Sequence, residues 1–295
     1  MIDTLHIKLY GYIYDLNYNT NRMKIKQTIS LLAVFAIVLS CSTNPFTGKK
    51  TLALVPNSQL FPMAFQQYDQ FLTENKIIKG TKESNMITNV GRKISVASER
   101  WLTANGYGGY LKDYAWEYNL VDDPTVNAWC MPGGKIVFYT GILPIADGEA
   151  GVAAIMGHEV AHALANHGQQ RMSAGQLQAL GAVAGNVALS KDPKKAEIFN
   201  QAYGIGSTVG VMLPFSRNHE SEADRIGLTL MAIAGYEPGE AADLWRRMKA
   251  NSGGQAPPEF LSTHPSSDTR IRNITEWAPQ AKVEARKYGV TNFKK

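Results

Sequence analysis

The chain has 295 residues, of which 44% are hydrophobic and 19% charged, the balance of an ordinary globular protein. Its net charge of +5 comes partly from the N-terminal stretch and the Lys-rich C-terminus, and no basic stripe with interleaved aromatics accompanies it, which excludes a nucleic-acid partner. There is no internal repeat and no long low-complexity tract, so no tetratricopeptide-like array is expected.

Residues 1–22 carry four tyrosines and no signal character, which suggests a start placed too early, with Met23 the true one. From Met23 the sequence reads as an export signal. Lys24 and Lys26 give a basic start, and residues 31–39 form a short apolar core, well below the roughly 20 residues a membrane span needs. Ser40-Cys41 then resembles a lipoprotein cleavage site, with Cys41 the lipidated first residue; Leu39 is larger than usual there, and an uncleaved N-terminal anchor is the alternative. With Cys41 acylated, Cys130 is left without an intrachain partner, and its place between Trp129 and Met131 reads as a buried apolar thiol. Residues 1–40 are thus expected to be a leader and residues 41–295 a single domain.

Along that domain, Ser58 is expected to cap a helix over 58–75, and a second helix is expected over 81–101. Residues 116–121 alternate as a strand, Asp122-Asp123-Pro124 is a turn, and 135–139 is a second short strand entered through Pro132-Gly133-Gly134. From Gly148 onward the pattern is mainly helical, with helices over 217–234, stopped by Gly235, over 238–251, and from a Ser267-Asp268 cap through 277; residues 252–258 read as a loop. The fold class is therefore mainly α with a small β-sheet (α+β).

The chemistry sits in His158-Glu159-Val160-Ala161-His162. Histidines at i and i+4 share one helix face and can bind one metal ion, while Glu159, about 100° around, lies beside the metal and can act as a base. An isolated surface helix is the bland alternative, but residues 148–157 are rich in Ala, Val, Ile and Met, so the helix is buried and its histidines need partners. A third-histidine pattern would need Gly and His where Ala165 and Gly168 stand, so His167 is not expected as a ligand. Instead Glu220, Ala223, Asp224 and Gly227 fall on one face of a later helix. The small Ala223 and Gly227 would allow close helix approach, Glu220 could reach the metal, and Asp224 could accept from the far nitrogen of a ligating histidine. Glu222 points elsewhere and is expected to be a solvated charge; His219 is expected to be structural.

Between these motifs, residues 176–213 are rich in Gly, Ala and Val, with a charged break at 191–195; each apolar piece is too short to span a bilayer. Buried helices or a lid over the cleft are expected, with a membrane-facing amphipathic surface as the alternative.

The pair of HExxH and E-x-x-A-D resembles the zinc peptidase family of the CAAX prenyl protease, the heat-shock protease HtpX and the periplasmic protease BepA, peptidase family M48. The resemblance covers residues 41–277. It includes Asn44-Pro45-Phe46-Thr47-Gly48-Lys49, Asn127-Ala128-Trp129 with Pro132-Gly133-Gly134, and Ser262-Thr263-His264-Pro265. It implies a gluzincin-type metalloprotease domain holding one zinc ion on His158, His162 and Glu220, with Glu159 as general base. It places the segment from Asn127 to Tyr139, including Gly133 and Gly134, beside the metal, where an edge strand over 135–139 could pair with an extended substrate; a core hairpin with no substrate role is the alternative. It also brings His264 over the metal, either as a fourth ligand that latches the enzyme or as a donor to the oxyanion.

The resulting expectation is an exported, lipid-anchored zinc endopeptidase on the periplasmic face of the outer membrane, cleaving misfolded or unassembled envelope proteins. Its partners would be polypeptide substrates and, through the anchor, the membrane. A chaperone-like or assembly factor that keeps the zinc fold without proteolysis is the competing reading. A purely structural zinc site is disfavoured because the chain offers no four-cysteine or Cys/His set.

Overall fold

The second expected helix starts at a capping box: the Thr81 hydroxyl accepts from the Ser84 N–H at 3.2 Å, and the Ser84 side chain answers the Thr81 N–H at 3.0 Å, opening a helix of 23 residues. This helix belongs to a computed structural model that describes residues 41–251, 259–265 and 267–295. The leader expected over 1–40 and the loop expected over 252–258 lie outside the described residues.

A two-stranded antiparallel hairpin, β1 (Cys41–Thr43) and β2 (Lys50–Leu52), opens the described chain. Helices α1 (Asn57–Glu74) and α2 (Lys82–Ala104) follow, separated by the short strand β3 (Ile77–Ile78). Helix α1 begins at Asn57 with Pro56 at its cap position, two residues before the expected cap Ser58, which lies inside the helix. Strands β4 (Glu117–Val121), β5 (Ala128–Met131) and β6 (Lys135–Tyr139) complete a sheet of order β3-β4-β6-β5. Strand β6 runs parallel to β4 and antiparallel to β5. The strand over 135–139 is thus internal, and the expectation that it forms the edge is corrected: β5, which the sequence reading missed, holds that place.

Helix α3 (Leu143–Ala146) leads into α4 (Glu149–Leu164), in which every residue from Ala150 to Leu164 is buried. A helix apolar on all sides belongs in the core, and α4 lies there, packed against α2, β5 and two later helices. Helices α5 (His167–Ala188) and α6 (Pro193–Ser207) form a hairpin, and a π turn (Thr208–Met212) joins α6 to α7 (Leu213–Ile233). Helix α8 (Glu240–Asn251), the short α9 (Glu259–Thr263) and α10 (Asp268–Arg286) close the described chain. Ser267 caps α10 through the Arg270 N–H, as expected, but the helix runs past Trp277 and accommodates Pro279. Among the described residues no helix is long and apolar enough to cross a membrane. The architecture is the expected one, mainly helical with a small sheet.

Candidate metal centre

His158 and His162 project from one face of α4 into the interior, 4% and 9% exposed. Helix α7 crosses α4 where Gly227 meets Gly157, and a Cβ on Gly227 would stand 2.9 Å from the His158 backbone nitrogen. With Ala223 fully buried at the same crossing, the helices approach closely enough to bring in Glu220. Its Oε2 lies 3.4 Å from His158 Nε2 and its Oε1 3.4 Å from His162 Nε2, while the two imidazole nitrogens are 3.1 Å apart.

These residues fit a metal. Two imidazole nitrogens converge on one carboxylate, and Glu220 Oε1 is buried with no hydrogen bond among the described residues. With His264, the donor atoms all lie within 4.8 Å of one another. Two histidines and one glutamate are the donor chemistry of a catalytic zinc site, so the expected cofactor, one zinc ion, suits the cluster. Burial works against the Glu220 charge, but the surrounding His158, His162 and His264 rings hold its carboxyl far below the usual range. Burial lowers His158, and its bonds to Asp224 and Glu220 more than reverse this, to about 9. Burial pushes His162 well down and Glu159 up. Glu159 is only 3% exposed; its Oε1 faces His264 Nε2 at 3.4 Å and has no hydrogen bond among the described residues.

Asp224 stands where the helix face puts it, with Oδ1 2.9 Å from His158 Nδ1. It is also held from behind by a residue that the sequence reading missed. Arg270, 7% exposed, grips it with two bonds, Nε to Oδ2 at 2.7 Å and Nη2 to Oδ1 at 2.6 Å. The same guanidinium reaches Glu220 Oε2 at 3.3 Å and lies 3.5 Å from the centre of the Trp245 ring. One signal was available: Arg270, Ile274 and Ala278 lie on the buried face of α10, so an arginine heads an apolar row.

His264 joins the donor cluster. Its Nδ1 is 2.8 Å from Glu220 Oε2 and 3.1 Å from His158 Nε2. It sits just after α9, which is tied down by the fully buried Phe260 and by the Phe260 N–H donating to the Val126 carbonyl at 3.1 Å. Cys130 is half-buried rather than fully buried as expected, and desolvation raises its thiol well above the usual range. His219 is buried and stacks on His167.

Two other expectations, on Glu222 and on residues 176–213, are corrected. Glu222 is no solvated charge: its side chain is 15% exposed and bonds Asn44. The stretch over 176–213 is not a set of buried helices; Leu180, Val183, Val187, Ile198 and Ile205 of the α5–α6 hairpin are exposed. Gly133 and Gly134 make the β5–β6 turn at positive φ, and their carbonyls accept from Ala115 and Glu117. Asn127 is buried, its side chain accepting from the Ala128 N–H at 2.9 Å.

The edge strand β5 packs on α4. Trp129 and Met131 pair with β6 across from Val137 and Lys135, and the Asn127 carbonyl accepts from the Tyr139 N–H. In an antiparallel ladder alternate residues face away from the partner strand. The carbonyl of Ala128 and both main-chain groups of Cys130 therefore point out of the sheet. On the other side of Glu220, a cavity of about 390 Å³ is lined by Arg217, Asp224, Pro265, Asn273 and Trp277.

The sequence model of peptidase family M48 matches residues 102–278. The chain belongs to peptidase family M48. This M48 chain is 42% identical over 176 residues to the mitochondrial metalloendopeptidase OMA1 of Schizosaccharomyces pombe, covering 59% of this chain and 50% of that one. It is 31% identical over 249 residues to the mitochondrial metalloendopeptidase OMA1 of Arabidopsis thaliana, covering 82% and 46%. To the beta-barrel assembly-enhancing protease of Escherichia coli it is 26% identical over 166 residues, covering 55% and 34%. The chain spans about half the length of the mitochondrial relatives it matches. These relatives overturn one expectation: localisation at the periplasmic face of an outer membrane does not stand when the stronger matches are to mitochondrial proteins.

Proposed function

We propose that this M48 chain is a zinc-dependent endopeptidase acting on unfolded polypeptide, with residues 41–295 as one peptidase domain. The observation that carries the reading is Glu159, a buried carboxylate whose Oε1 has no hydrogen bond among the described residues and only His264 Nε2 facing it at 3.4 Å, set beside a two-histidine, one-glutamate donor cluster. His158, His162 and Glu220 would hold the zinc, which supplies Lewis acidity to the scissile carbonyl and brings the pKa of water toward about 7. Glu159 takes the proton of the attacking water and passes it to the leaving amine. Its desolvated setting strengthens it as a base. Asp224 and Arg270 hold the His158 ring, and the outward main chain of β5 aligns an extended substrate, with the segment from Asn127 through Gly133 and Gly134 as its wall.

His264 acts as a latch in this reading. Its Nδ1 lies within hydrogen-bond reach of Glu220, among the donors themselves, which supports ligand competition over oxyanion binding. The substrates are misfolded or unassembled proteins near a membrane to which acylated Cys41 anchors the chain; the intact mass of purified protein, compared with Cys41→Ser, tests the acylation.

Casein cleavage by zinc-loaded protein tests the enzyme. Glu159→Gln should lower cleavage by roughly 10²–10⁴-fold with one zinc per chain retained, and His264→Ala should cleave faster than wild type. Full cleavage by Glu159→Gln would overturn the mechanism. If wild type cleaves nothing while zinc-bound and the Glu159→Gln variant keeps full biological activity, the chaperone-like reading takes its place.

A further inference from the structure

The far side of His162 is not solvated. Its Nδ1 lies 2.9 Å from His167 Nδ1, and the two rings meet nearly edge to face. His167 is fully buried, and its other nitrogen, Nε2, has no hydrogen bond among the described residues but faces Glu222 Oε1 at 3.5 Å. Glu222 in turn accepts from the Asn44 side-chain amide, with Lys49 Nζ at 3.8 Å. Asn44 is 1% exposed and completely committed: its Oδ1 accepts from the Phe46 N–H, its carbonyl from Gly48, and its N–H donates to Lys49. Phe46 stacks on Trp101 of α2 at 4.3 Å, which fixes the β1–β2 turn to the core.

The hydrogens in this row can run only one way if His162 Nε2 offers its lone pair to a metal. Nδ1 of His162 then carries the hydrogen and donates to His167 Nδ1. That places the hydrogen of His167 on Nε2, directed at Glu222. Every tautomer follows from the one before it, and an anion closes the row. His158 has a carboxylate, Asp224, directly on its far nitrogen; His162 has one at the end of an imidazole spacer.

We propose that Glu222, acting through His167, is a positioning residue for His162, and that Asn44 makes the N-terminal turn part of the metal site. The inference rests on the reading of His162 as a zinc ligand. Partners of this kind orient the ligating ring, and their loss costs roughly 10–100-fold in metal affinity. The N-terminal hairpin and the acidic helix α7 are thereby coupled: the turn that follows the proposed anchor at Cys41 must be docked for His162 to be held in register.

Zinc affinity of the full chain, measured by competition with a chromophoric chelator, tests this, together with the visible spectrum of the cobalt-substituted protein. Glu222→Ala should weaken zinc roughly 10–100-fold and shift the cobalt bands, and Glu222→Gln, which keeps an acceptor for His167, should recover part of both. Asn44→Ala, on the far side of Glu222, should weaken zinc in the same direction by a smaller factor and serves if Glu222→Ala does not fold. Unchanged affinity and spectrum in Glu222→Gln and Asn44→Ala, or a lower melting temperature with wild-type affinity, would overturn the proposal. His162→Ala separates the two readings: if it binds zinc as wild type does, the ligand assignment fails; if it loses zinc while the Glu222 and Asn44 variants do not, only the positioning chain fails.

Discussion

Arg270 carries more of the site than any single residue outside the donor set. It neutralises Asp224 with two bonds, touches Glu220 and covers the Trp245 face, and it is itself almost fully buried. Removing one side of a buried ion pair leaves the other charge uncompensated, at a cost of about 3–5 kcal/mol. Arg270→Ala should therefore lower the melting temperature strongly and weaken zinc, read by thermal denaturation of apo and zinc-loaded protein. Arg270→Lys should rescue little, because an ammonium cannot make the paired bonds. At this scale the sequence was legible where function follows helix periodicity. His158, His162, Glu220 and Asp224 were found because i, i+3 and i+4 spacing encodes a shared face. Arg270, His167 with Glu222, and Asn44 were not assigned their contacts, because those contacts depend on how α10, α5 and the N-terminal turn dock on α7. No local pattern records such docking.

Among the elements, the α4–α7 crossing sets the geometry of the donors. At Gly227 a methyl group would meet the backbone of Gly157 and His158 at about 3 Å, and neither helix backbone can yield locally. Gly227→Ala should cost about 1–3 kcal/mol by overpacking and also weaken zinc, since moving α7 outward carries Glu220 with it. The same substitution in an exposed helix would be neutral or favourable, so a melting curve with and without zinc separates the two. Thr81→Ala should cost about 1 kcal/mol through the lost cap of α2 without affecting zinc. By contrast, replacing Leu180, Val187 and Ile205 of the exposed hairpin with Gln should leave the melting temperature nearly unchanged, each within about 0.5 kcal/mol. The small residues of that hairpin read equally well as buried helices, because composition reports packing without saying against what. Strand β5 was missed for a related reason: four residues between a turn and a Pro-Gly-Gly carry too little alternation to announce themselves.

For the molecule as a whole, none of the candidate metal donors belongs to the main apolar cluster of the core. That cluster is a continuous apolar body built around α4, with the donors gathered at one margin. Chelation should therefore abolish casein cleavage while leaving the helical far-ultraviolet signal in place, and zinc should restore activity without a refolding step. Collapse of the helical signal on chelation would instead mark a structural metal. If the outward main chain of β5 aligns substrate as proposed above, it also decides what the peptidase discriminates. Main-chain groups are the same in every protein, so a strand that grips them is nearly blind to side-chain identity. What it detects is whether a partner can surrender several consecutive residues in extended form. A well-folded neighbour cannot, and one that has lost its structure can. The lifetime of a client would then be set by how often it opens rather than by the letters around its cut site, and two proteins sharing a cleavage sequence would differ in survival by the ratio of their opening equilibria.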